Sequence, residues 1–434
     1  MAQATFNARF LVHLVCAVAL FAAPAAAQDC MQFDGTFFVT SSCAGDPAND
    51  RALSLTTMRW GAAEYLVGNT GNELRMWNIN SPGNPSVTTN SSMCREWGTG
   101  GYPCASGDLD YNLEIFSVCD DCRYGAAAYV TGIALFDLGT GAAPTFVEEE
   151  PYPDAVQLAG VFTFKVNSQQ YLIAKGLGDT CSTGSAVYEF NGVDAASNPV
   201  VQCLDYDVKD GVFIPNGGDP YVWLATGNNR IAIHRVVPVG GSVELQFQSD
   251  DMRALVRRGM GVAVDEASGL AASTYLTGTT RIYDVGWGNG SYANPIEIGS
   301  INHGQSDPKT AVAIKAPFLW VAYETGLNSN GVYDISNPSN PQEIDPDFWD
   351  PSNSWNDYEC DIPHDGVFSP SGSHLYLARY HTGQTIDISA CGGGAPPTAA
   401  VSLSPFERFP GDTVTVNNSS TGQITEGRIW VTTD

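Results

Sequence analysis

Several short motifs hold side chains able to bind or activate a ligand, and each also has a structural use. His303 lies in Asn302-His303-Gly304, His364 and Asp365 in Pro363-His364-Asp365-Gly366, and Asp210 in Lys209-Asp210-Gly211. Each stands ahead of an apolar run. If those runs gather about an axis, the four groups converge at one mouth of a channel, where imidazole and carboxylate make a metal or ligand site. The structural use of the same residues is to start strands and to satisfy turn amides.

Two acidic segments point to other chemistry. Asp108-Leu-Asp110-Tyr-Asn112-Leu-Glu114 offers hard oxygen ligands of the kind calcium takes, although Leu113 stands where a helix-loop-helix calcium loop needs glycine. Its period of two places Asp108, Asp110, Asn112 and Glu114 on one face of a strand, a pattern equally suited to a hydrated channel wall. The insertion 348–357 carries Phe348, Trp349, Asp350, Trp355 and Asp357, which together would make a sugar- or peptide-binding patch or pack their rings back onto the fold. Signatures of covalent catalysis are missing from the sequence: there is no Gly-x-Ser-x-Gly elbow, no His-Glu-x-x-His and no phosphate loop with lysine.

The first 27 residues read as an export signal. Arg9 precedes an apolar run from Phe10 to Ala23, too short for a membrane span of about 30 Å, and Pro24-Ala-Ala-Ala27 offers small residues for cleavage. Cys16 leaves with that segment. The ten remaining cysteines, Cys30, Cys43, Cys94, Cys104, Cys119, Cys122, Cys181, Cys203, Cys360 and Cys391, form an even set in an exported chain and predict disulfides. Short separations favour Cys94–Cys104, Cys119–Cys122 and Cys181–Cys203. The last four are ambiguous, and nearness in sequence favours Cys30–Cys43 and Cys360–Cys391. Cys119-Asp-Asp-Cys122 has the spacing of a redox dithiol, but the following Arg123-Tyr-Gly reads as a turn rather than the helix that lowers a thiol pKa.

The elements that must position these groups come from an internal repeat. A third-strand motif, apolar residues around one polar residue, recurs seven times with its centre at Asn78, Asp137, Glu189, Arg235, Asp284, Asp334 and Asp387. The centres fall about fifty residues apart, a period typical of blade repeats. Two β-rich runs precede each centre and a proline-flanked run commonly follows, as in Ser336-Asn-Pro-Ser-Asn-Pro341. Short strands separated by Gly, Asn, Ser and Pro turns predict antiparallel meanders without helices. Four strands per unit and seven units predict an all-β seven-bladed β-propeller. The seventh unit runs into Cys391-Gly-Gly-Gly without a fourth strand, whereas Gly35-Thr-Phe-Phe-Val-Thr-Ser41 is a spare strand near the start. We expect that strand to close the ring and cover an exposed edge.

On these motifs the chain resembles secreted bacterial seven-bladed propellers of the LVIVD-repeat type. The likeness runs over about residues 30–392 and is best at Tyr333–Pro341; Glu189 and Arg235 depart from the usual aspartate. The resemblance implies a secreted or cell-surface protein and carries no catalytic residue set. Beyond the Gly/Pro linker 392–398, the segment 399–434 with Pro410-Gly-Asp and Trp430 looks like the opening of a PKD-like immunoglobulin domain, too short for a full sandwich of about 100 residues. The organisation expected is therefore signal peptide 1–27, propeller 28–391, linker 392–398 and a partial β-sandwich segment.

Charge and composition narrow the partners. Twenty Lys and Arg against 47 Asp and Glu give a formal charge of −27, which disfavours duplex nucleic acid and anionic membrane surfaces. Forty-five glycines and 25 prolines argue against a helical bundle. The function these readings point to is a non-enzymatic binding or adhesion scaffold for an extracellular protein or glycan, with no cofactor unless calcium binds. The alternative is an extracellular hydrolase or oxidoreductase with its site at the channel mouth.

Overall fold

The computed structural model describes most of residues 30–391, and the strands Val401–Ser404 and Thr415–Asn418. Residues 1–29 and the longer segments 40–51, 93–114, 152–159, 176–180, 192–197, 253–260, 304–308, 324–329, 350–362, 392–400, 405–414 and 419–434, with some shorter loop pieces, lie outside the described residues. The expected signal peptide, the linker, the calcium segment Asp108–Glu114, Cys43, Cys94, Cys104, Cys360, Asp350, Trp355 and Asp357 fall there. Among the described residues, no helix is long and apolar enough to cross a membrane.

Seven four-stranded antiparallel sheets follow one another along the chain. Six are consecutive meanders, spanning 52–92, 115–151, 161–203, 208–249, 262–302 and 309–344. The seventh takes three strands from 363–387 and its outermost from Gln32–Val39, which pairs antiparallel with Thr382–Asp387. This is a seven-bladed β-propeller closed by its N-terminal strand. The closing strand begins three residues earlier than the sequence indicated and is bulged twice along its length.

The repeated motif has a physical explanation. Its polar centre ends the third strand of every blade except the fourth, whose third strand, Ile231–Val239, runs on past Arg235. In five blades the centre's Oδ1 accepts the backbone N–H two residues on: Asn78 from Asn80, Asp137 from Gly139, Asp284 from Gly286, Asp334 from Ser336 and Asp387 from Ser389, at 2.7–3.0 Å. This Asx turn replaces ladder bonds where the chain leaves the sheet. Where the centre is not Asn or Asp, other contacts serve: Arg235 pairs with Asp219, and Glu189 meets the Asn191 side chain. The apolar residue after each centre is buried in all seven blades. Its N–H bonds a carbonyl at the start of the second strand in every copy, from Ile79 to Glu64 through Ile388 to Ser373, at 2.7–2.9 Å. The same hydrogen bond thus ties the end of the third strand to the start of the second in every blade.

Between blades, apolar side chains from adjacent sheets make separate clusters. Met58, Val67 and Phe136 join blades one and two, and Phe164, Ile173, Leu224 and Val236 join three and four. At each joint a side chain also reaches the backbone of a neighbour. Gln170 brackets both the N–H and the carbonyl of Tyr124, Ser185 accepts from Val208 N–H at 2.9 Å, the Trp223 indole donates to the Tyr292 carbonyl at 3.0 Å and Asp265 accepts from Ala316 N–H at 3.1 Å.

The cysteine pairings are part confirmed and part corrected. Cys119–Cys122 and Cys181–Cys203 are disulfides as expected. Cys30 pairs with Cys391, 361 residues away, and not with Cys43; Cys391 is correspondingly not paired with Cys360. Ring closure is the reason. It lays the N-terminal strand beside the last third strand, so residues at opposite ends of the chain meet although sequence distance argues against it.

The acidic Asx centres differ in how much they hold. Asp284 accepts from Gly286 and Gly288 through Oδ1 and from Gly290 through Oδ2 at 2.9–3.0 Å, and a side chain at Gly290 would run into the Asp284 carbonyl. Asp334→Ala is expected to lower stability by about 1 kcal/mol and Asp284→Ala by about 2–3 kcal/mol, because three N–H groups lose an anionic acceptor. Urea unfolding of the two variants checks the order.

Candidate functional site

Asp210 and Asp365 are the two sequence candidates that the ring brings together. Both lie on innermost strands, Val208–Ile214 of blade four and Pro363–Phe368 of blade seven, each at a bulge in the pairing with the second strand. A glycine follows each, and its N–H donates to the aspartate's Oδ1 at 2.7 Å in Asp210 and 2.8 Å in Asp365. The bulge interrupts the pairing at the aspartate, and the glycine lets the backbone pass close: a side chain at Gly366 would strike Leu377 and Trp320.

Both carboxyls are buried. Burial raises Asp365 to about 7, against the pull of hydrogen bonds from Leu55, Gly366 and Ser54. Burial also raises Asp210 well above the usual carboxylate range, and the charge of Asp365 pushes it in the same direction. The two therefore feel each other across the ring interior. Asp365 has a structural task as well. Its Oδ2 accepts from Leu55 N–H at 2.9 Å and from the Ser54 hydroxyl at 3.2 Å, tying blade seven to blade one.

The other candidates do not join this pair. His303 follows the outermost strand of blade five, Ile296–Asn302, and its ring sits between blades: Nε2 faces the Thr280 hydroxyl at 3.0 Å and Nδ1 the Tyr333 hydroxyl at 3.3 Å. It precedes the next innermost strand along the chain, Lys309–Lys315, yet its ring contacts lie on the third strands of blades five and six. His364 belongs to the innermost strand of blade seven, and its side chain lies outside the described residues. Phe348 and Trp349 fold back beneath the ring's closure, where Trp349 is buried with Cys30 and Met31. Of the two uses of that insertion, packing is what these rings do. His234 is buried; its Nε2 faces the Tyr206 hydroxyl at 3.0 Å, and burial lowers it to about 4, so it is neutral at physiological pH.

Several residues that hold this region were not singled out by sequence reasoning. Ser54 and the Leu55 amide complete the Asp365 site. Ser117 accepts from Thr163 N–H at 2.8 Å at the joint of blades two and three. Arg379, fully buried, donates to the Gln384 side chain at 3.1 Å one strand away from Asp365. Nothing in their local sequence marks them, since single Ser, Gln and Arg residues acquire these partners only when the ring closes. Among the described residues, no three His, Cys, Asp or Glu side chains are gathered to hold a metal ion.

The class defined by this geometry is the seven-bladed β-propeller. Among solved structures, the chain is similar to the C-terminal WD40 domain of Sif2, with a TM-score of 0.47 and 10% identity over 83% of this chain and 99% of that one. No protein-family model matches the chain. No curated protein matches it either.

Asp365 makes stability depend on pH in a defined direction. The folded group keeps its proton to about pH 7 whereas the ordinary value is 3.8, so folding takes up a proton between those limits. Its contribution to stability therefore falls as pH rises through that window and levels off above it. Asp210 acts with the same sign. Asp137, Asp284 and Asp387 are lowered and act oppositely, losing their contribution only as pH falls below the ordinary carboxylate range. Asp365→Asn keeps an acceptor for Gly366 and cannot titrate. Urea midpoints of this variant should decline less between pH 4 and 7 than those of the wild type, by a difference on the order of 1 kcal/mol or more. Identical slopes would remove Asp365 from the account.

Proposed function

We propose that this chain is an exported, non-enzymatic propeller that binds a protein or glycan outside the cytoplasm, in the manner of the LVIVD-repeat propellers it resembles, with 399–434 the opening of a PKD-like module. One observation carries the reading: several of the ring's buried polar side chains are committed to its own joints. Gln170, Ser185, Asp265 and Asp365 each hold the backbone of a neighbouring blade, and His303 and His234 fill positions between strands or blades. A scaffold built this way is rigid, and rigid scaffolds present ligand-binding loops at low entropic cost. The disulfides agree with export, since such bonds persist in oxidising compartments. Trp287 and Phe247, both more than half exposed, give blades four and five aromatic contact surface of the kind that anchors partners.

A second reading, acid–base chemistry at the channel, is favoured by one observation. Asp210 and Asp365 are buried carboxylates that burial raises, and such groups cluster at active sites.

Arrays of glycans and of extracellular proteins, probed with the mature chain, discriminate the two. The binding reading expects saturable capture that survives Asp365→Asn and Asp210→Asn. Turnover on a hydrolase or oxidoreductase substrate panel that either substitution abolishes, with no capture on the arrays, would replace it with the enzymatic reading.

A further inference from the structure

Among the described residues, the polar clasp of the joint between blades one and two has a distinctive source. Here the clasp is the loop enclosed by the Cys119–Cys122 disulfide. Asp120 and Asp121, the two residues inside the ring of that bond, both reach the hairpin turn of blade one. Asp120 Oδ1 accepts from Arg59 N–H at 2.7 Å and Asp121 Oδ1 from Gly61 N–H at 2.8 Å, while Asp121 N–H donates back to the Arg59 carbonyl at 2.8 Å. A third blade joins in, because Lys165 donates its ammonium to the Asp121 carbonyl at 2.6 Å. The loop needs an unusual backbone to do this: Asp121 has φ 53°, in the left-handed region, and Cys122 N–H closes a turn onto the Cys119 carbonyl at 3.1 Å. The disulfide spans this turn, whose two inner residues touch three blades.

The two sulfurs are not equivalent. Cys122 is fully buried, whereas Cys119 is partly exposed and is followed by two exposed aspartates. An incoming thiolate reaches Cys119 first.

We propose that Cys119–Cys122 is a thiol-exchange site whose reduction by an extracytoplasmic dithiol releases the clasp between blades one and two while the rest of the ring stays folded. In the first step the reductant's thiolate sulfur bonds Cys119 Sγ, the Cys119–Cys122 bond breaks, and the Cys122 sulfur leaves with the electron pair and takes a proton. In the second, the reductant's other thiolate attacks the mixed disulfide, forming the reductant's own disulfide and freeing Cys119, which is protonated in turn. The pair gains two electrons and two protons, and the dithiol loses them. The site is a substrate for exchange and not a catalyst of it: no helix N-terminus faces either sulfur, and the flanking carboxylates of Asp120 and Asp121 disfavour a standing thiolate.

The test uses the full mature chain with dithiothreitol as the dithiol. Alkylation and mass mapping follow each cysteine, and amide hydrogen exchange is read on peptides covering Arg59–Gly61 and, as controls, Thr163, Val208 and Ala316. Reduction of Cys119–Cys122 should speed exchange at Arg59 and Gly61 by about tenfold or more while the control amides keep their rates. Because dithiothreitol also reaches Cys181–Cys203 and Cys30–Cys391, a Cys119→Ser/Cys122→Ser variant with those bonds intact should show the same local change. If that variant does not fold, the graded reduction of the wild-type chain decides alone. The proposal is overturned if the pair resists reduction until every amide exchanges together, or if reduced chain leaves Arg59 and Gly61 as slow as before.

Discussion

Everything in this molecule depends on closing the ring. Left to the 363–387 segment alone, the seventh blade would have only three strands and would expose the unpaired backbone groups along Thr382–Asp387. The protein covers that edge with a strand from the opposite end of the chain. Gln32–Val39 pairs along Thr382–Asp387, Cys30 is bonded to Cys391, and Met31 N–H reaches the Asp345 carboxylate of blade six at 3.2 Å. On the other flank Asp365 holds Leu55 and Ser54, Tyr376 donates to the Pro82 carbonyl at 3.0 Å, and Phe37 sits edge-on to Trp77. Strand pairing, a covalent bond, buried hydrogen bonds and aromatic packing thus all meet at one seam.

The consequences spread from there. A closed ring fixes the distance between blades four and seven, and so sets Asp210 and Asp365 in one another's field. It also makes the joints the place where polar groups are spent, because each blade must bind two neighbours and cannot slide along either. That is why the groups best equipped for chemistry are found holding backbone amides. A carboxylate that ties two blades together and is raised by burial contributes specificity of register at some cost in stability above neutral pH.

The sequence made the periodic part of this legible. The seven centres from Asn78 to Asp387 mark the third strand of each blade: in five the Asx turn demands a short polar side chain there, and in all seven the residue after the centre is buried. The missing fourth strand of the last unit and the spare one near Gly35 were enough to place the closure. What could not be read was contact made by closure itself. Cys30 and Cys391 are 361 residues apart and meet only in the ring. His303 precedes a strand along the chain yet points between Thr280 and Tyr333, since position along the chain carries no direction for a side chain at a loop. Trp349 looked as suited to a ligand as to the core, and its neighbours Cys30 and Met31 come from the far terminus.

The most direct test of the account is complementation of the seam. A chain beginning at Arg51 lacks the closing strand, and a synthetic peptide covering residues 30–39 can supply it in trans. The account predicts that the shortened chain melts well below the full chain and that the oxidised peptide, joined to Cys391, restores most of the lost melting temperature. A shortened chain that melts with the full one, or that gains nothing from the peptide, would contradict it.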